Sequence, residues 1–186
     1  MNAAEHIVEG YYRHCKKNFT ITDVKVIRGV NRQFDLLAID LKSGEQFHIE
    51  SSVTHSFTIS ADDLCAELER KFLGVPPKRE GANTDHSRGK RYLNEINETY
   101  RSVGFEPEKI QRVFVTWQVK GIGRLRECLE AFARKSFPVS VISFRDTILP
   151  ELQKVIGTSN YDDEALRTLS LIRQMEIQTR IKKPLE

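Results

Sequence analysis

The chain is short of several things, and each shortage removes a class of function. It has only three cysteines, Cys15, Cys65 and Cys128, an odd number far apart in sequence. No pair has metal-ligand spacing, a chain of this length can bury enough surface to need no staples, and three reduced, partly buried thiols are expected. No apolar run approaches the ~18 residues of a membrane span, and the start, MNAAEHIVEG, lacks a signal-peptide core. A soluble, cytoplasmic protein without a membrane partner is the expectation. There are no internal repeats and no low-complexity tract. A glycine-rich phosphate loop is missing too, since Gly121-Ile122-Gly123 is too short a match. No Ser/His/Asp set is placed by spacing. The net charge of +3 in 186 residues permits a polyanionic partner without demanding one.

What is present is a β-hairpin signature. Phe34–Leu41 is almost continuously apolar, broken by Asp35 and Asp40. After Lys42-Ser43-Gly44, the stretch Gln46–Thr54 alternates Phe47, Ile49 and Val53 with His48, Glu50 and Ser52. A Ser-Gly pair between such runs predicts a tight turn. A two-residue loop at Ser43-Gly44 puts Asp35 opposite Ser52 and Leu37 opposite Glu50. Asp35 and Glu50 are then diagonal neighbours on one face, ~7–8 Å apart at the backbone, close enough to share a hard cation. A slip of one residue would separate them onto opposite faces. His48, His55 and His86 read as half-exposed polar residues, and Trp117 as core.

Before the hairpin, apolar positions at spacings of three and four predict a helix over Ala3–Lys17, with Glu5 and Glu9 one turn apart. A strand over Phe19–Arg28 follows. After the hairpin, Ser60 is placed to cap a helix over Ala61–Leu73, with Asp62 and Asp63 in its first turn and Arg70 and Lys71 in its last. Gly74–Arg91 reads as a long basic loop, and a helix over Tyr92–Val103 ends at Gly104. Then come a strand at Ile110–Val119, a helix at Leu125–Lys135, a strand at Pro138–Phe144, a helix at Thr147–Ile156 interrupted by Pro150, and a last helix opened by Asn160 with Asp163 as a capping pair and running to about Ile181. The order predicts an α/β fold: a mixed central sheet with helices on both faces and C-terminal helices added. Residues 1–157 are expected to form the main domain and 158–186 a helical extension, whose Leu166, Leu169, Ile172 (or Leu171) and Met175 offer a surface for self-association.

A helical Glu, a strand bearing Asp and a strand bearing Glu, in the order αβββαβ, resemble the PD-(D/E)xK (restriction-endonuclease-like) nuclease superfamily. The likeness runs over about Ala3–Phe144 in element order and is specific across "FDLLAID…SGEQFHIESS". It implies that Asp35 and Glu50 bind Mg²⁺ or Mn²⁺, with Glu5 as the helix-1 acid and Glu9 as its runner-up. It also implies that a Lys stands two residues after the Glu, to stabilise charge at the attacked phosphate. This chain has Ser52 there. Three readings stay open: a lysine from elsewhere substitutes, with Lys90 and Lys120 as candidates; the metal suffices; or the fold persists without cleavage and serves as a nucleic-acid-binding or protein-interaction module. For a nucleic-acid partner, DNA or RNA, the basic candidates are Arg28/Arg32, Lys78/Arg79, Arg88/Lys90/Arg91 and Arg124/Arg126, with the loop cluster favoured.

Overall fold

A computed structural model describes residues 2–28, 32–53, 59–74, 86–134 and 137–181, with side chains described at all of these except 62, 86–91, 122 and 181. The architecture is mixed α/β. A five-stranded sheet has the order β1 (Phe19–Lys25), β2 (Gln33–Ile39), β3 (Gln46–Ser52), β5 (Ile110–Thr116), β7 (Val139–Ser143). The first three strands form an antiparallel meander, and β3, β5 and β7 run parallel. Two short strands, β4 (Ile59–Ser60) and β6 (Val119–Lys120), pair with each other beyond the sheet. The expected Ile110–Val119 strand is thus divided in two.

Helices cover both faces. α1 (Ala3–His14) lies on one face, where Val8, Tyr11 and Tyr12 pack with Leu36, Ala38, Ile49, Val113 and Val115. On the other face α3 (His86–Ser102) buries Ile96 and Tyr100 against Phe34, Leu37 and Ile110. Beside it α2 (Ala61–Leu68) and α4 (Ile122–Arg134) bury Leu64, Leu68, Phe72, Cys128 and Phe132 around Phe114. α5 (Leu149–Ile156) and α6 (Glu164–Ile181) pack with α1 through Leu152, Ile156 and Leu166.

Several boundaries move for identifiable reasons. α3 starts at His86, six residues earlier than expected, because Arg and Lys are good helix formers and the one Gly89 costs only about 1 kcal/mol. It ends as expected: Gly104, at φ 84°, donates to the Arg101 carbonyl and Phe105 N–H reaches back to Tyr100, a Schellman stop. A π-turn, Phe144–Ile148, runs directly into α5, and Pro150 sits at their junction, in the first turn of α5, where the helical pattern changes but the chain stays helical. Of the expected capping pair it is Asp163 that caps α6, with Oδ1 accepting from Leu166 N at 2.9 Å. Of the predicted apolar side of α6, Leu166 is buried and Leu169 packs beside it, whereas Leu171, Ile172 and Met175 are exposed. Two of the three thiols are not free: Cys65 and Cys128 are joined as a disulfide. The packing of α2 on α4 brings their Cα atoms to 5.9 Å, a juxtaposition that their separation of 63 residues does not advertise. Cys15 is free and half-buried.

The hairpin is two residues longer at its turn than the Ser-Gly pair suggests. Leu36 faces Ile49 and Ile39 faces Gln46. Asp40 takes over the turn: its Oδ1 accepts from Lys42 N at 2.8 Å, its carbonyl from Gly44 N at 2.8 Å, and its N–H donates to Glu45 O at 2.9 Å. Such an Asx turn outcompetes the tighter loop. Continued by one residue, this register sets Asp35 opposite Glu50, not Ser52. A shift of two keeps every side chain on its face, so the expected pairing of acids survives in a closer form.

Candidate active site: two acids and a migrated lysine

Asp35 stands where β2 and β3 part. Its Oδ2 accepts from the Ser51 N–H at 2.8 Å, taking the place of a main-chain acceptor. Glu50 points from β3 toward the face covered by α2 and α3, and its side chain is 2% exposed. Between them lies Lys71. Its Nζ donates to Asp35 Oδ2 at 3.2 Å and sits 2.6 Å from Glu50 Oε2. The contact with Glu50 is an ion pair away from hydrogen-bond alignment, so Oε2 is a buried acceptor with no hydrogen bond.

Lys71 arrives by an unusual route. α2 runs to Leu68 and then widens into a π-turn, Glu69–Leu73, closed by Gly74 at φ 70°. Leu64, Leu68 and Phe72 are fully buried and form the stripe that anchors the helix, each contributing roughly 2 kcal/mol by leaving water. Lys71 lies at the edge of that stripe, one turn beyond Leu68. Gly74 is required twice over. Its φ is left-handed, and a Cβ there would lie 2.5 Å from Tyr92 Cβ and 2.9 Å from Arg32 Nη1.

Glu50 is held from behind. His48, two residues earlier on the same face, is fully buried, not half-exposed as its lone position in a strand suggests. Its ring is enclosed by Phe34, Phe72 and Tyr100, with Phe34 at 4.4 Å between centroids. Its Nε2 lies 2.8 Å from Glu50 Oε1 and its Nδ1 2.6 Å from the Tyr100 hydroxyl. An ionised carboxylate only accepts, which assigns the tautomer: Nε2–H donates to Glu50 and Nδ1 accepts from Tyr100. A chain of contacts runs Tyr100–His48–Glu50–Lys71–Asp35.

The electrostatics follow from this chain. Burial is the strongest influence on Glu50 and opposes its charge, but the hydrogen bond and charge of His48 with the charge of Lys71 outweigh it and hold the carboxyl at about 2. Burial lowers His48 by more than Glu50 raises it, so the ring stays neutral. Asp35 goes the other way, raised to about 6 by burial and then by the charge of Glu50, against the pull of Lys71 and Ser51 N–H. Burial opposes the Lys71 ammonium, yet the two carboxylates outweigh it and raise its pKa. Near neutrality the cluster holds one firmly ionised acid, one acid poised to titrate, and one ammonium.

The other sequence candidates lie elsewhere. Glu5 closes a capping box on α1: Asn2 Oδ1 accepts from Glu5 N, and Glu5 Oε2 accepts from Asn2 N at 2.8 Å. Glu9 accepts from the Thr20 hydroxyl at 2.9 Å. α1 also packs on the opposite face from His48 and Tyr100. Lys120 is exposed on β6, in register with Ser60. Ser52 ends β3, in register with Thr116 of β5. Arg32 turns inward, its Nη2 donating to the carbonyls of Arg70 (2.6 Å) and Lys71. Lys78, Arg79 and His55 lie outside the described residues, as do the side chains of His86, Arg88, Lys90 and Arg91, although 86–91 form the first turns of α3.

Asp35 and Glu50 could hold a hard cation. Mg²⁺ or Mn²⁺ is commonly bound by one or two carboxylates, with water and substrate oxygens completing the octahedron. Glu50 Oε2 and Asp35 Oδ2, which both lie against Lys71 Nζ, are of the oxygen type that donor set needs. No group of three or more His, Cys, Asp or Glu suited to a metal occurs among the described residues, and Glu5 does not join Asp35 and Glu50. Lysine 71 is the residue that sequence reasoning missed. Read as a helix-ending cation, it gave one signal: its place beside the Leu64, Leu68, Phe72 stripe of the helix that follows β3.

No family model, curated protein or solved structure matches this chain at a significant level.

Proposed function

We propose that the chain is a metal-dependent nuclease-like enzyme acting on the phosphodiester backbone of DNA or RNA, with Asp35, Glu50 and Lys71 as its charged set. The carrying observation is the position of Lys71 Nζ against both carboxylates. It supplies the cation that Ser52 cannot, on the face where a lysine two residues after Glu50 would have pointed. Mg²⁺ or Mn²⁺ held by Asp35 and Glu50 would supply an activated water and neutralise phosphoryl charge. The chain's own residues then have separate tasks. Glu50 stays ionised because His48 donates to Oε1. Asp35, once ionised, would be the second carboxylate to hold such an ion. Lys71, whose Nζ lies against both acids, would stabilise charge on the attacked phosphate. The basic residues of 78–91 are proposed to track the nucleic-acid backbone.

The same ion pairs favour a second reading. An ammonium 2.6 Å from one acid and 3.2 Å from the other neutralises the cluster internally, as in a non-catalytic descendant that binds nucleic acid or a protein partner. Incubation with single- and double-stranded DNA and RNA in Mn²⁺ separates the two. The first reading predicts cleavage lost in Lys71→Ala and Glu50→Gln; binding without cleavage under all conditions favours the second.

A further inference from the structure

Arg32 and the π-turn occupy opposite sides of the same junction. Arg32 immediately precedes β2, three residues before Asp35. The turn Glu69–Leu73 ends at Gly74, whose N–H closes onto Glu69 O. The last carbonyls of a helix have no partner within it, and here two of them, of Arg70 and Lys71, converge on one guanidinium nitrogen, Arg32 Nη2. The side chain is half-buried, and its charge suits the negative end of the helix. Gly74 leaves the room: a Cβ there would meet Arg32 Nη1 at 2.9 Å. One side chain therefore binds the main chain of the residue carrying Nζ to the strand carrying Asp35.

We propose that Arg32 is a positioning residue: by gripping the Arg70 and Lys71 carbonyls from the start of β2, it sets the Lys71 ammonium against Asp35 and Glu50. Its value for catalysis rests on the nuclease reading above; its hold on Lys71 does not. The alternative use of an arginine at this turn, a contact with the nucleic-acid backbone, is opposed by the inward aim of Nη2 and makes a different kinetic prediction.

The test compares wild type, Arg32→Ala and Arg32→Lys, with unfolding curves to establish that each folds. Lys71 modification by acetic anhydride, followed by peptide mass spectrometry, reports its exposure without requiring activity. Arg32→Ala is expected to acetylate Lys71 at least fivefold faster than wild type. Arg32→Lys, which keeps a charge but loses the guanidinium fork, should fall between. Where cleavage is measurable, Arg32→Ala should lower kcat tenfold or more with KM little changed. Unchanged Lys71 protection in the folded variants would overturn the proposal, and so would a raised KM with kcat intact, which marks a substrate contact. If Arg32→Ala does not fold, Arg32→Lys decides by the same modification rate. Wild type with no cleavage, but with Lys71 exposed in Arg32→Ala, would sink the nuclease reading and leave this one standing.

Discussion

Two pairs of acids stand out in the sequence, Glu5 and Glu9 on α1 and Asp35 and Glu50 on the hairpin, and the fold treats them in opposite ways. Glu5 is spent locally, its oxygens on Asn2 at the start of its own helix. Glu9 reaches a neighbouring hydroxyl on β1. Asp35 and Glu50 come from different strands, are carried to one point by the register, and share a cation drawn from a third element. Acids in a first helical turn have ready partners in unpaired backbone N–H groups. Acids on the buried face of a strand have fewer such groups, here the single Ser51 N–H for Asp35, and the fold must bring them further partners or let them take one from solution. The difference is the reason the proposed metal site is placed on the second pair.

The largest effect that would break this contrast lies at the ion cluster. Glu50→Gln should remove Mn²⁺ binding detectable by calorimetry, whereas Glu5→Gln should leave it intact; equal binding by all three proteins would erase the distinction. Lys71→Ala leaves two buried carboxylates facing each other without a cation, and breaking a buried pair in this way typically costs 3–5 kcal/mol. A loss of about 3 kcal/mol is expected in urea unfolding near pH 8, shrinking as pH falls toward 6, because Asp35 without the pull of Lys71 takes up its proton more readily than in wild type.

The pH dependence sharpens the same contrast. Asp35 is raised from 3.8 to about 6, so its ionisation works against the folded state: its contribution to stability is full below the unfolded value and is lost as pH rises through 6. Glu50 is depressed from 4.5 to about 2, so its contribution is present above 4.5 and is lost as pH falls toward 2. Metal binding needs Asp35 ionised. Mn²⁺ affinity should therefore fall about tenfold per unit below pH 6, and Asp35→Asn should flatten that slope. A smaller effect is expected behind Glu50. Tyr100→Phe removes the hydroxyl that His48 Nδ1 accepts from, at a cost of about 1–2 kcal/mol, measurable by thermal unfolding. Smallest is Glu5→Ala, which opens the capping box for about 1 kcal/mol and should leave metal binding and cleavage unchanged.

Much of the fold was legible. The αβββ order, the mixed sheet and the hairpin all followed from alternation and turn residues. Asp35 and Glu50 were brought together by face, although Asp40 set a different register, because an error of two residues preserves faces. What was hidden was tertiary. Lys71 lies 21 residues beyond Glu50 in another element, and only the packing of the Leu64, Leu68, Phe72 stripe, with the extra residue of the π-turn, delivers it. His48 was misread because burial of a strand residue depends on what covers the strand, here Tyr100 from α3. The Cys65–Cys128 disulfide was hidden for the same reason, and with it goes the argument from free thiols for an intracellular protein. No helix of the described residues is long and apolar enough to cross a membrane.

The central claim is that Lys71 does the work expected at Ser52. It is tested most directly by cleavage of DNA and RNA in Mn²⁺ by wild type, Lys71→Ala and Glu5→Ala side by side. The account predicts a loss of roughly 10²–10³-fold for Lys71→Ala, on the scale of a removed transition-state donor, and wild-type rates for Glu5→Ala. Equal rates for Lys71→Ala and wild type, or no cleavage by wild type of any substrate, would contradict it.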